Sequence, residues 1–383
     1  MNLAITGVGV VSPLGVGRPA FEASLANPEA AREKAFGTPT VLDREKVGEA
    51  WAAEAWDFDA PSYLGKKGLR NFDRLTRFLV VAGKHALEDA GIKRDGEFVA
   101  YGPSRVGICS STAYGSLDAI TELNLVAELE DPRYINPSRF PNTVINAAAG
   151  YVSIWEDLRA PNVTVVDGNC GALDAVVTSE THLAHRRGDV FLVGGGEVLS
   201  EPLYLAFKKL GVVADREGEG FRFGEGAAYL VVERPEGAAG REATVLGTIA
   251  GYGTAFSPPA SDAVLVHASS DSVVRAIRDA LQDAGLERVD VVAAAVSGLA
   301  ESDRCELEGI REVLGDVPVA APKQILGESF GGAGALAMAA VLSWFSGAAV
   351  GPIVQGEAAE DVSTALVVTI GFYGNVSAVV LRK

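Results

Sequence analysis

The sequence predicts a layered α/β fold built from two similar halves. Three observations carry that expectation: apolar strand-like runs alternate with helix-like segments, glycine-rich turns join them, and the order of the first half returns in the second. "LAITGVGVV" from Leu3 reads as a buried strand, and "RLTRFLVVAGKHALEDAG" as an amphipathic helix that Gly91 ends. "SRVGICSS" and "VTVVD" are further strands, and "GALDAVVTSETHLAHRRG" is a helix stopped by Gly188. "DVFLVGGG" and "AAYLVVERPEGA" complete this half. Pro235 and Gly237 then mark a boundary between residues 1–237 and 238–383. In the second half "VPVAAPK" is a strand, "ILGESFGGAG" a turn and "GALAMAAVLSWFSG" a buried helix rich in small residues. "VGPIVQ" and "TALVVTIGFYGNVSAVVLRK" supply the late strands. Identity between the halves is low, so the repeat is one of structure.

Of 383 residues, 48% are apolar and 22% charged, enough for a substantial core and against disorder. Asp and Glu number 50 against 33 Lys and Arg, a formal charge of −17. That field repels nucleic acid and anionic membrane surfaces, so an acidic partner needs a local basic patch. Cys109, Cys170 and Cys305 are too few and too scattered for a disulfide framework and point to a reducing compartment. No apolar stretch approaches the ~20 residues that span a bilayer. The start lacks the basic region of a signal peptide. The expectation is a cytoplasmic protein without membrane insertion, using no cofactor and no metal.

The chemistry centres on "VVDGNCGALDAVV", where a β-branched run ends at Asp167 and Cys170 stands at the start of a helix. A thiol there sits in the positive end of the helix dipole, which favours thiolate, and beside free N–H groups that can receive an oxyanion. Cys109 lies inside a strand and Cys305 in a charged helical run, so both read as packing residues.

From "FPNTVINAAAGYVSIWEDLRAPNVTVVDGNCGALDAV" through "RRGDVFLVGGGEVLSEP" to "GEGFRFGEGAAYLVVERP", with "GFYGN" near the end, the chain resembles the β-ketoacyl synthases. These are thiolase-fold condensing enzymes of fatty-acid and polyketide synthesis, and the resemblance covers essentially the whole chain. It implies a five-layered αβαβα arrangement, a dimer, and Cys170 as the nucleophile that accepts an acyl chain from an acyl carrier protein. It further implies the backbone N–H of Phe372 as a second oxyanion donor.

The same resemblance exposes departures. Members usually supply two histidines to decarboxylate a malonyl thioester, and here Ser297 and Glu328 occupy those positions. His85, His182, His185 and His267 read as surface or packing residues, not as displaced catalysts. Lys323 and Glu308 fit the family's accompanying lysine and glutamate and are expected to pair. Glu328 admits three readings: a protonated donor, a base, or a polar plug in a site that has lost its chemistry. "GFYGN" is one residue shorter than the usual "GFGGTN" and bulkier at Tyr373, which alters the acyl gate.

Two functions follow. In the first, Cys170 accepts an acyl chain without histidine-dependent decarboxylation; in the second, the chain is a silent subunit of the chain-length-factor type, partnering a complete ketosynthase. The intact cysteine turn tips the sequence reading toward the first. Either reading brings an acidic carrier to the basic stretch "LGKKGLRNFDRLTR", through Lys66, Lys67 and Arg70. Either also makes the protein a homodimer or a heterodimer with a ketosynthase, with "NVTVVD" as the strand at the interface.

Overall fold

The computed structural model describes residues 1–383 except Asp262, Leu265 and Glu360. The first half contributes strands β1 (Leu3–Ser12), β2 (Val106–Ser111), β3 (Asn162–Val165), β4 (Val190–Glu197) and β5 (Gly226–Glu233). Its main helices are α1 (Pro28–Ala35), α2 (Arg74–Asp89), α3 (Ala147–Glu156) and α4 (Gly171–Ala184). The second half contributes β6 (Gly247–Phe256), β7 (Val291–Ala293), β8 (Val319–Ala320), β9 (Ile353–Gln355), β10 (Thr364–Ile370) and β11 (Asn375–Arg382). With them come α5 (Ser270–Ala284), α6 (Ala300–Leu314) and α7 (Ala333–Phe345).

These strands form one sheet in the order β9-β8-β7-β10-β11-β6-β1-β5-β4-β2-β3, with a two-residue strand at Gly15–Val16 folded back onto β1. The repeat is visible in the pairing sense. In the first half β1-β5 and β5-β4 run antiparallel, then β4-β2 and β2-β3 run parallel. In the second half β6-β11 and β11-β10 run antiparallel, then β10-β7 and β7-β8 run parallel. The halves join where Leu3–Ile5 pair with Gly247–Ile249.

Period-two alternation sorts each strand between two layers. On β5, Ala228, Leu230 and Val232 face a central core with α4 and α7, while Ala227, Tyr229 and Val231 face an outer core with α2 and α3. On the far side α5 and α6 cover β7, β10 and β11. The result is five layers, with α4 and α7 in the middle. The repeat extends to the glycines that admit the outer helices. A Cβ on Gly9 would lie 1.9 Å from the Ala82 carbonyl of α2, and one on Gly253 2.2 Å from the Ala276 carbonyl of α5.

Helix ends follow local chemistry. The Asp73 side chain accepts from the Thr76 N–H and starts α2. At the end of α2, Gly91 adopts φ +64° as expected. The helix α4 stops earlier than Gly188: Ala184 is its last residue, and Arg186 takes the left-handed conformation at φ +53°. Gly188 serves packing instead, since a Cβ there would meet the Phe191 ring at 2.7 Å.

Candidate functional site

The turn between β3 and α4 and its counterpart between β8 and α7 pack against each other where the halves meet. The first turn, Gly168–Cys170, is a single tight helical turn that runs into α4, so neighbouring side chains on it leave in different directions. Asn169 points into the second half, and its Nδ2 donates to Glu328 Oε2 at 3.3 Å. Lys323 Nζ donates to the same oxygen at 2.7 Å, and the Phe330 N–H donates to Oε1 at 2.9 Å. Glu328 is buried, and all the contacts made by its carboxyl group are to donors, as suits an accepting carboxylate. Phe330 holds φ +41°, a strained value for a buried aromatic residue.

Cys170 faces elsewhere. Its Sγ lies 3.5 Å from the Thr369 carbonyl and 3.6 Å from that of Asn375, the two strand ends that flank the "GFYGN" turn. The thiol is fully buried, and burial together with the charges of Asp174 and Asp167 pushes it up to about 12. The expected thiolate at a helix start is therefore corrected: desolvation and two carboxylates outweigh the helix dipole. Asp174, itself raised to about 7 by burial and by Asp167, accepts from Tyr252 and Ser377 hydroxyls across the interface of the halves. Cys109, inside β2, and Cys305, on α6, are buried as read.

Asn169, Ser297, Lys323 and Glu328 line a narrow space of about 10 Å³ together with Asp303, Glu306 and Phe372. That is barely the room a single water needs. The Ser297 N–H donates to Asp303 Oδ1 at 3.0 Å. Lys323 pairs with Glu328, not with Glu308, which corrects the expected pair. Glu308 lies on the exposed face of α6 and binds Arg304 at 2.8 Å. Two residues earlier, Glu306 is buried, accepts from the Ala295 N–H at 2.7 Å and is pushed up to about 8 by burial. The apolar stripe of α6 carries the missed signal, because Glu306 falls in line with the buried Gly309 and Ile310.

No histidine enters this space among the described residues. His85 packs edge-on against Tyr63, and His182 stacks on Phe191. His267 lies closer than its sequence context suggests: its backbone N–H donates to the Phe372 carbonyl at 2.7 Å. Phe372 joins an aromatic cluster with Phe207, Phe221 and Phe330 at ring separations of 5.6–6.0 Å, while Tyr373 is 61% exposed. Lys66, Lys67 and Arg70 are exposed on the segment before α2.

The sequence profile described as "Beta-ketoacyl synthase, N-terminal domain" matches residues 2–238, and "Beta-ketoacyl synthase, C-terminal domain" matches 246–357. The chain belongs to the β-ketoacyl synthase family. It is 31% identical to 3-oxoacyl-[acyl-carrier-protein] synthase 2 of Coxiella burnetii over 88% of this chain and 83% of that one. It is 30% identical to a polyketide β-ketoacyl synthase 2 of Streptomyces coelicolor over 99% of this chain and 94% of the relative. Among solved structures, the ishigamide ketosynthase/chain length factor superposes with a TM-score of 0.84 at 26% identity, covering 100% of this chain and 99% of that one. A β-ketoacyl synthase from Burkholderia phymatum superposes at 0.86 with 23% identity over 100% and 99%, a likeness of fold. The thiolase-type layering expected of the family is the architecture observed.

Proposed function

We propose that the chain is a catalytically silent subunit of the chain-length-factor type, acting in fatty-acid or polyketide synthesis beside a complete ketosynthase. The observation that carries this reading is the residue set at the meeting of the two turns. Asn169, Ser297 and the Glu328–Lys323 pair supply neither a thiol nor an imidazole, and an amide does not form a thioester. A carboxylate at Glu328 opposes both the approach of a malonyl carboxylate and a developing enolate. The sequence alone tipped the choice toward acylation of Cys170. The side-chain directions tip it back, because the thiol is closed beneath the strand ends of Thr369 and Asn375. The likeness to a ketosynthase/chain length factor structure agrees with this choice.

Within this reading the boundary near Gly237 divides the two halves, the edge strand β3 meets the partner, and Lys66, Lys67 and Arg70 offer an acidic carrier protein a docking patch. The test is co-expression with neighbouring ketosynthases, followed by native mass spectrometry and product assay of the complex. Cys170→Ser should leave product formation within about twofold of the unsubstituted complex, because the thiol takes no part. An acyl adduct mapped to Cys170 after exposure to acyl-carrier thioesters would overturn the silent reading and restore the acyltransferase.

A further inference from the structure

Where the edge strand β3 runs into α4, two carboxyl groups meet. Asp167 follows β3 and is exposed, while Asp174 lies half-buried in the first turn of α4. The two side chains are within hydrogen-bonding reach of each other. Asp174 is held from the second half, since its Oδ1 accepts from the Tyr252 hydroxyl at 2.7 Å and the Ser377 hydroxyl at 2.6 Å. The backbone of Asp167 is held too. Its carbonyl accepts from the Cys170 N–H at 3.0 Å and from the Asn375 side-chain amide at 3.4 Å. Two carboxylates so placed repel unless a cation stands beside them or a proton lies between them. Among the described residues no Lys, Arg or His is within ion-pair distance of either. A shared proton is what remains.

Burial and the contact with Asp167 raise Asp174 to about 7, and the other groups facing the pair do not titrate near that value. Cys170 of the same turn is pushed up to about 12, and Tyr252 of β6 is raised by burial and by Asp174. From β11 come Ser377 and Asn375, both neutral. Asp283 of α5 accepts from the Tyr252 backbone N–H and is neutralised by the Met1 amine at 2.9 Å. The pair also stands at an open end of the sheet. Val166, next to Asp167, is exposed, as are Phe140, Val144 and Ile154 near β3. A partner that completes this edge takes water from the exposed side of the pair, and lost water raises the affinity of carboxyl groups for their proton.

We propose that the Asp167–Asp174 pair is a proton-dependent switch for assembly across β3: a partner subunit closes over the pair when it holds one proton and is resisted when it holds none. The switch rests on β3 as the contact edge, and not on whether Cys170 reacts. Because the assembled state binds the proton more tightly than the separated one, association takes up a proton. It therefore tightens as pH falls through about 7 and weakens as pH rises above it.

Sedimentation of the full chain in its assembled form, at pH 6 and pH 8 and equal ionic strength, measures the effect. The dissociation constant at pH 8 is expected to be at least about fivefold above that at pH 6. Asp167→Asn puts a permanent N–H donor where the proton lay, so the variant should keep the pH 6 affinity at both values, within about twofold. Glu197 and Glu306, raised to about 7 and about 8, are left in place by this substitution, so a flattened profile belongs to the pair. If Asp167→Asn disturbs the turn, Asp174→Asn removes the same repulsion from the other side and should flatten the profile as well. A dissociation constant that ignores pH, a pH dependence that survives both substitutions, or a chain that stays monomeric overturns the proposal. If assembly ignores pH yet is weakened by Ile154→Asp, the edge stands and the switch falls. An acyl adduct on Cys170 would remove the silent-subunit reading and leave the switch standing.

Discussion

One residue decides between the two functional readings. Cys170 and Asn169 are adjacent in sequence, yet one is sealed against strand carbonyls and the other reaches Glu328. Sequence spacing fixes the presence of the turn but not which of its side chains crosses to the other half, because that depends on a tertiary contact more than 150 residues away. Glu306 offers a test at the same scale. Its carboxyl group is raised to about 8 by burial, with Asp303 adding to the shift and Lys323 opposing it. An acid raised in the folded state keeps its proton there while the unfolded chain releases it. Stability therefore falls as pH rises from about 4.5 to about 8, and flattens above. Glu306→Gln should weaken that decline and gain stability relative to the parent at pH 8, by at most a few kcal/mol. Urea unfolding at pH 5 and pH 8 measures this, and an unchanged pH slope would show that Glu306 is not the buried acid responsible.

At the level of elements, the central helices set the tolerance of the fold. Every residue of α7 is buried, and its start meets α4 closely: a Cβ on Gly334 would lie 3.2 Å from Leu173. Small residues let the two helices approach, so added bulk has nowhere to go. Ala335→Leu should destabilise the protein by roughly 1–3 kcal/mol, read as a lower urea midpoint, because Ala335 is fully buried. Most of these elements were legible in the sequence, since strand alternation and helix periodicity are local signals. The length of α4 was not: a left-handed arginine replaced the expected glycine stop, and Gly188 turned out to serve the Phe191 ring. Lys323 pairs with Glu328 instead of the expected Glu308, and the buried acid of α6 is Glu306, because the helix face decides burial and motif spacing does not. Glu306 sits on the buried stripe and Glu308 on the solvent side.

Across the whole molecule, the sheet ends at β9 on one side and at β3 on the other. Around that end Ile154 is 77% exposed, Phe140 63%, Val166 51% and Val144 50%, and Asn162 ties β3 to α3 through the Ala149 carbonyl and the Ser153 hydroxyl. An apolar surface beside an open strand edge calls for a protein partner. Ile154→Asp should weaken assembly at least about tenfold without lowering monomer stability, as read by native mass spectrometry across micromolar concentrations. A complex that forms as tightly in the variant would move the interface elsewhere. The burial of the three thiols has a consequence of another kind. Cys109 and Cys170 are inaccessible and Cys305 is 5% exposed, so the chain offers oxidants almost no thiol. Peroxide attacks thiolates, and a thiol raised to about 12 is thiolate in roughly one molecule in ten thousand at pH 8. Peroxide exposure of the folded protein should therefore leave Cys109 and Cys170 unmodified, as read by intact mass and peptide mapping.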